Sequence, residues 1–560
     1  MLDLATLHEA IAAAKPDAEC LIWRDRRLTW REVTDRTRRL ARVLHEHGLG
    51  RRETAAEPWE SPHDHLALYL YNGPEYLEGL LGAHKARVAP FNVNYRYVDE
   101  ELVHLFTDGR PAAILYHAAF APTLARALDR LGRRPLLLQV ADESGNDLLP
   151  GALDYEQALA AASPDPLDVR PDPSDLHILY TGGTTGRPKG VLWRIGDLLT
   201  GPLAVRRRDG GPFSGVEEAV DGALNRPEAR VLVAPPMMHG GGTWTALGGW
   251  CGGGVVIIPD RVDRLDAANL LSVATRERVT RMPLVGDAFC RPLVEELERA
   301  EPGAYDLSSL RSIINSAAAI SPGVRARLTA LLPHVRILDV LGSSESGFQV
   351  ARQAAGSEPF HPMPGAAVVS DDRTRLLKPG EEEVGWLAKS GVIPLGYLGD
   401  PDKTRETFVT IEGRRLVVAG DRARLLQDGR IEVYGREATT INTGGEKVYA
   451  EEVEEVLRGI PGVAEALVVG RPSERWGQEV VAVIRPDRRE PGAAGLTDEA
   501  LRAGCAARLA GYKIPKAFFR TEESLRLPNG KADYKTARAI VAKGAAMSAA
   551  EGAPRGAAEG

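Results

Sequence analysis

In Asp175-Leu-His-Ile-Leu-Tyr180-Thr-Gly-Gly-Thr-Thr-Gly-Arg-Pro-Lys-Gly190, the residues Leu176, Ile178 and Tyr180 alternate like a strand that stops at Gly182-Gly183. A run of Thr and Gly follows, ending at Gly186, then Lys189, and Val191 opens an apolar, helix-capable segment. Such a loop suits a nucleotide phosphate. Glycines let backbone N–H groups approach closely, and Thr181, Thr184 and Thr185 add hydroxyl donors. It is not a Walker loop, which needs a Gly immediately before the Lys, where Pro188 stands. Nor is it a dinucleotide fingerprint, since no G-x-G-x-x-G opens a helix here.

The 560 residues exceed what one hydrophobic core normally serves, so two or more domains are expected. A content of 44% apolar and 26% charged residues is that of a globular protein, and the net charge of −7 argues against nucleic acid as the main partner. Cys20, Cys251, Cys290 and Cys505 are far apart, with no C-x-x-C and no histidine at metal-ligand spacing. That argues against disulfides and structural zinc and fits a reducing cytoplasm. No apolar run reaches the roughly 18 residues needed to span a bilayer, and Asp3 and Glu9 do not belong in a signal peptide. A soluble, cytoplasmic protein with a small-molecule substrate is expected; the sequence is silent on oligomeric state.

Strand-like and helix-like patterns alternate from the N-terminus to about Arg436. Candidate strands are Asp64–Tyr71, Val88–Asn92, Ala112–Tyr116, Pro135–Val140, Arg230–Ala234, Gly254–Pro259, Val279–Val285, Ser312–Asn315 and Val335–Leu341. This alternation predicts α/β layers with ligands at the carboxyl ends of the strands. The segment Arg51–His63, with two prolines and three glutamates, reads as a surface loop. After Arg436 the texture changes to a small α+β module. Val453, Val456 and Leu457 have the spacing of one packed helix face, and Ala464–Val469 and Glu479–Ile484 read as strands. The expected organisation is a large α/β domain over 1–436, a hinge at 437–439, a small domain over 440–542 and a disordered tail over 543–560.

Further motifs follow the Gly/Thr loop in a fixed order: Leu341-Gly-Ser-Ser-Glu345, Ala419-Gly-Asp421, Tyr434-Gly-Arg436, Ile441-Asn-Thr-Gly-Gly-Glu-Lys447 and Pro528-Asn-Gly-Lys531. With Tyr180–Gly190 they resemble the signatures of the adenylate-forming superfamily, which includes acyl-CoA synthetases, peptide-synthetase adenylation domains and luciferases. The resemblance runs to about residue 540. Asn92-Val-Asn-Tyr-Arg-Tyr97, Gly286-Asp-Ala288 and Tyr305-Asp-Leu-Ser-Ser309 are similar in wording to actinobacterial steroid side-chain and fatty acyl-CoA ligases.

The resemblance implies an AMP-forming ligase that uses ATP, Mg²⁺ and CoA. A carboxylate attacking the α-phosphate brings two anions together, so positioned cations and N–H donors must neutralise charge as pyrophosphate leaves. By resemblance Thr181, Gly182, Gly183, Thr184, Thr185, Gly186 and Lys189 hold the departing phosphates, and Glu345 with Thr181 holds Mg²⁺. Ala317, Ala318, Leu341, Gly342, Ser343 and Ser344 flank adenine, Asp421 accepts from the ribose hydroxyls, and Arg436 lies near ribose or phosphate. Lys531 reaches from the small domain to bridge carboxylate and α-phosphate. His239 stands beside the acyl carboxylate in a pocket with Met238, Gly240 and Trp244. Ala438 is the hinge, and Gly444-Gly445 border the CoA channel. Arg206-Arg-Arg208 reads as a solvated charge run.

Three departures bear on the substrate. Leu341 replaces the aromatic residue that usually stacks on adenine, Ser316-Ala-Ala-Ala319 replaces Ser-Gly-Gly-Ala, and Ala438 stands where Asp or Lys is common. Arg51–His63 looks like an insertion relative to that branch. The main reading is a carboxylate–CoA ligase for a fatty, steroid side-chain or aryl acid. The alternative is natural-product chemistry with another acceptor, such as an ATP-dependent diazotase that activates nitrite for an aryl amine.

Overall fold

The structure is a computed structural model that describes residues 2–52, 57–182, 188–317, 320, 322–353, 358–436, 440–486, 496–525 and 533–551. The chain forms two compact units, one from Met1–Tyr95, Leu102–Thr181 and Lys189–Glu437, the other chiefly from Ala438–Gly560.

Two large sheets carry the first unit. One has nine strands, in spatial order His361–Pro362, Gly347–Arg352, Arg336–Ser343, Ser312–Asn315, Arg281–Leu284, Arg230–Leu232, Val255–Ile258, Glu19–Trp23 and Arg26–Thr29. From Arg336–Ser343 to Glu19–Trp23 the pairing is parallel, and both ends close with antiparallel strands. The other has seven strands: Leu153–Asp154, Leu136–Val140, Ala113–His117, His65–Tyr69, Ala89–Asn92, Leu176–Gly182 and Pro188–Arg194. His65–Tyr69, Ala113–His117 and Val255–Ile258 are buried along their whole length, as near-continuous apolar runs must be when helices cover both faces of a sheet.

The helix Trp30–Glu46 starts with a capping box in which Thr29 and Glu32 satisfy each other's backbone N–H groups. It packs on the helix Pro74–Lys85 at Gly82, where a β-carbon would lie 2.8 Å from Leu40. A third, antiparallel sheet joins Ala366–Val369, Gly385–Ser390, Arg414–Leu425 and Phe408–Ile411, with Ile431–Arg436 paired to Arg414–Leu425.

The second unit has a five-stranded sheet made of Glu446–Tyr449, Thr440–Thr443, Gly477–Pro486, Val463–Ser473 and Ala517–Arg520. Val453 and Leu457 of the helix Ala450–Arg458 are fully buried against it, as their spacing predicts.

Three expectations change. Pro188–Arg194 is the edge strand of the seven-stranded sheet, and a helix begins only at Ile195. The β-branched and aromatic run Val191-Leu-Trp193 suits a pleated strand, and a strap of chain covers its open edge. Leu192 N–H donates to Gly396 O (2.9 Å), while Leu395 and Leu398 N–H donate to Leu192 O and Gly190 O (2.8 Å each). The helix Tyr534–Glu551 runs on past Lys543, so the segment read as a disordered tail begins inside a helix. Its Ala537 and Val541 pack with Leu467 and Val469. The loop 51–63 is also more than a surface excursion: His63 is buried, and its Nε2 bonds Asp175 Oδ1 at 3.0 Å.

Among the described residues, no helix is long and apolar enough to cross a membrane.

Candidate active site

The strand into the Gly/Thr loop is fixed by buried polar side chains. Tyr180 N–H donates to Asn92 Oδ1 (2.8 Å), and Asn92 Nδ2 returns a hydrogen bond to Tyr180 O (2.9 Å). The same amide donates to Met238 O at 2.7 Å, which ties the loop stem to the segment carrying His239. Asn72 acts in parallel: its amide donates to Pro235 O (3.0 Å) and its oxygen accepts from Met237 N–H (2.6 Å). Two asparagines at the carboxyl ends of neighbouring strands thus hold the loop that enters the helix Gly240–Cys251. Below the loop, the Tyr180 hydroxyl donates to Asp108 Oδ2 at 2.5 Å. Burial raises the Asp108 carboxyl above its usual range, and burial together with this neighbouring charge pushes the Tyr180 phenol well up.

His239 is the N-cap residue of that helix, its carbonyl accepting from Gly242 and Thr243 N–H. At Gly240 a β-carbon would stand 3.2 Å from Leu179 and 3.3 Å from Trp244, so the missing side chain permits close approach. Met238 and Trp244 are buried. The Trp244 ring sits edge-on to Trp193 (6.4 Å) and to Phe348 (5.8 Å), making an aromatic corner.

Leu341, Gly342 and Ser343 end the strand Arg336–Ser343, and Ser344, Glu345 and Ser346 form the turn into Gly347–Arg352. A β-carbon at Gly342 would lie 1.9 Å from Gly347 O, so only glycine fits this narrow turn. Trp193 Nε1 donates to Ser344 O at 2.8 Å, joining the turn to the strand that leaves the Gly/Thr loop. Glu345 is 8% exposed, and its Oε1 accepts from the Tyr397 hydroxyl at 3.0 Å. Lys189 forms an ion pair with Asp400. Burial works against the Asp400 anion, but Lys189 and the Lys403 N–H outweigh it and hold the carboxyl below its usual range.

Thr181 lies on the loop strand and is half-buried. Ala317 adopts a left-handed φ of +64°, a conformation that costs a residue with a β-carbon and that glycine takes freely. Asp421 faces Arg436 in register in the third sheet, following Gly420 at φ +98°. Gly444 and Gly445 belong to the second unit, where φ values of +58° and +87° build the turn between Thr440–Thr443 and Glu446–Tyr449. Arg206 is half-buried and donates to Thr200 O (2.6 Å) and Gly210 O, so it is a structural cation rather than part of a solvated run. Gly183, Thr184, Thr185, Gly186, Ala318, Ala438 and Lys531 lie outside the described residues, as does the side chain of Arg436.

The structure therefore joins the loop stem, the His239 segment and the Glu345 turn through Asn92 and Trp193. Sequence reading missed Asn72, Asn92, Asp108, Tyr397 and Asp400. Asn92 did carry a signal, as an amide side chain ending the apolar strand Ala89–Asn92 at its carboxyl end.

A large α/β unit that carries the Gly/Thr motif after the strand Leu176–Gly182, the buried Glu345 turn and a following small α+β unit are the parts of an adenylate-forming enzyme. The family model described as AMP-binding enzyme matches residues 8–394, and that of the AMP-binding enzyme C-terminal domain matches 452–531. The chain belongs to the AMP-binding enzyme family. It is 47% identical to the medium-chain acyl-CoA ligase Mig of Mycobacterium avium, over 95% of this chain and 96% of that protein. Identity is 37% to a medium/long-chain-fatty-acid–CoA/3-oxocholest-4-en-26-oate–CoA ligase of Mycobacterium tuberculosis, over 96% of both. Among solved structures, o-succinylbenzoate CoA synthetase from Bacillus subtilis superposes with a TM-score of 0.74 at 21% identity, covering 94% of this chain and 96% of that one. That likeness establishes the shared fold.

Proposed function

We propose that the chain is a cytoplasmic ATP-dependent acyl-CoA ligase for medium- to long-chain fatty acids or a steroid side-chain acid. The observation that carries the reading is the end-to-end likeness, at 47% identity, to a medium-chain acyl-CoA ligase. In the first half-reaction an oxygen of the substrate carboxylate bonds to the α-phosphorus of ATP, and the bond to the β-phosphate oxygen breaks to release pyrophosphate. In the second, the CoA thiolate bonds to the acyl carbon and AMP leaves.

Thr181–Gly186 and Lys189 hold the β- and γ-phosphates in this reading. Ala317, Ala318 and Leu341–Ser344 flank the adenine, Asp421 accepts from the ribose, and Arg436 lies beside ribose or phosphate. His239 meets the carboxylate, and Met238, Gly240 and Trp244 line the acyl pocket, for which the aromatic corner with Phe348 supplies apolar surface. Lys531 bridges carboxylate and α-phosphate, the chain hinges at Ala438, and Gly444-Gly445 border the pantetheine path.

Mg²⁺ fits the donor set. Glu345 is a buried carboxylate whose Oε1 accepts from the Tyr397 hydroxyl. A hard cation held by one carboxylate plus phosphate oxygens is what such a site takes, and when bound it neutralises charge on the leaving phosphates. The test is a panel of medium-chain, long-chain and steroid side-chain acids with ATP and CoA, scored for thioester and AMP. Pyrophosphate release that CoA never draws into a thioester would overturn the reading.

A further inference from the structure

Residues 396–400 carry the side-chain partners of two site groups. Tyr397 donates to Glu345, and three residues on Asp400 pairs with Lys189. Asp400 cannot swing freely, because its Oδ1 caps the helix Pro401–Thr407 by accepting from Lys403 N–H at 2.9 Å. The strap is held on its inner side by the bonds to Gly190 and Leu192, and Tyr397 N–H donates to Thr404 Oγ1 at 2.9 Å.

Its outer side is held by the 51–63 segment. Gly399 N–H donates to Trp59 O at 2.8 Å, the Arg405 guanidinium lies 5.4 Å from the Trp59 ring centre, and a β-carbon at Gly396 would lie 3.0 Å from Pro58 O. That segment is anchored in turn through His63 to Asp175, the residue just before the loop strand.

We propose that Asp400 is a positioning residue for adenylation: fixed by its helix cap and by the strap that Trp59 braces, it neutralises Lys189 so that pyrophosphate is held weakly enough to leave. This rests on the ligase reading above. A lysine paired with a carboxylate attracts a polyanion less than a bare ammonium does. Through Trp59 the 51–63 segment then acts on the phosphate end of the site.

The experiment measures inhibition of adenylation by pyrophosphate in Asp400→Asn. Asparagine caps a helix as well as aspartate does, so the variant removes charge and keeps the fold. A half-buried ion pair is worth a factor of about two to five, so pyrophosphate should inhibit two- to fivefold more tightly. Conversion of a supplied acyl-adenylate to thioester should stay within about twofold. In a Lys189→Ala background the same substitution should change pyrophosphate inhibition little, since the effect runs through Lys189. Unchanged or weaker inhibition in folded Asp400→Asn overturns the proposal, as does equal loss in both half-reactions. Wild-type protein that exchanges pyrophosphate with no acid overturns the ligase reading instead.

Discussion

Asn92 and Tyr180 exchange two hydrogen bonds, side chain to backbone, as if the amide were one more strand residue beside the loop stem. Both residues are buried, at 8% and 6% exposure. In Asn92→Ala the Tyr180 N–H and C=O and the Met238 C=O lose their partner in a place water does not reach. Each orphaned group costs about 1 to 3 kcal/mol, so unfolding free energy should fall by about 3 kcal/mol or more in denaturant titration. Because the same amide holds the His239 segment, the variant should also raise KM for the acid. A stable variant with normal KM would show that the exchange is dispensable.

Ala317 supplies a test in the opposite direction. Its left-handed φ of +64° puts the β-carbon against the backbone at a cost of about 1 kcal/mol, which glycine avoids. Ala317→Gly should therefore unfold at equal or higher denaturant than the parent, although glycine substitutions ordinarily destabilise. Ala317→Val should lose more than 1 kcal/mol. A clear loss for the glycine variant would contradict the strained backbone.

The Glu345 turn and the Gly444-Gly445 turn were legible because each is a local structure, so a short window of sequence contains its physical cause. The parallel α/β architecture was legible for the same reason, from apolar runs such as Val255–Ile258. Lys189 and Asp400 are 211 residues apart, and no periodicity relates them. Tyr397 and Asn72 were hidden likewise, since their roles arise from which strand ends become neighbours. The strand after the loop was misread because Val191-Leu-Trp193 is equally apolar as helix or strand; what decides is the strap that pairs with its edge.

The buried pair His84 and His177 predicts a pH dependence. Their rings stack at 5.6 Å, both are almost fully buried, and burial lowers His84 to about 3 and His177 to about 4. For His84 the neighbouring His177 adds to the effect, while the Asp175 charge opposes it. In the unfolded chain both titrate near 6.5. Between about pH 6.5 and 4 the unfolded state binds more protons, so stability is present above that window and is lost as pH falls through it. The expected slope is on the order of 1.4 kcal/mol per pH unit for each histidine. Denaturant titrations at pH 7, 6 and 5 should show this loss, and His177→Gln should make it shallower, whatever its effect at pH 7.

In the role proposed for Lys531, its removal should separate the two half-reactions. Only adenylation needs a cation between two anions, the substrate carboxylate and the α-phosphate; thioester formation starts from an acyl-adenylate in which that bond already exists. In the proposed role, Lys531→Ala should cut adenylation by a factor on the order of 10² to 10³, while thioester formation from supplied acyl-adenylate stays near the wild-type rate. Lys531→Arg keeps the charge but replaces a compact ammonium with a wider planar fork, so it should recover only part of the loss. If both half-reactions fell together in Lys531→Ala, the lysine would be organising the small domain rather than stabilising charge, and the catalytic cation would have to be sought elsewhere in the chain.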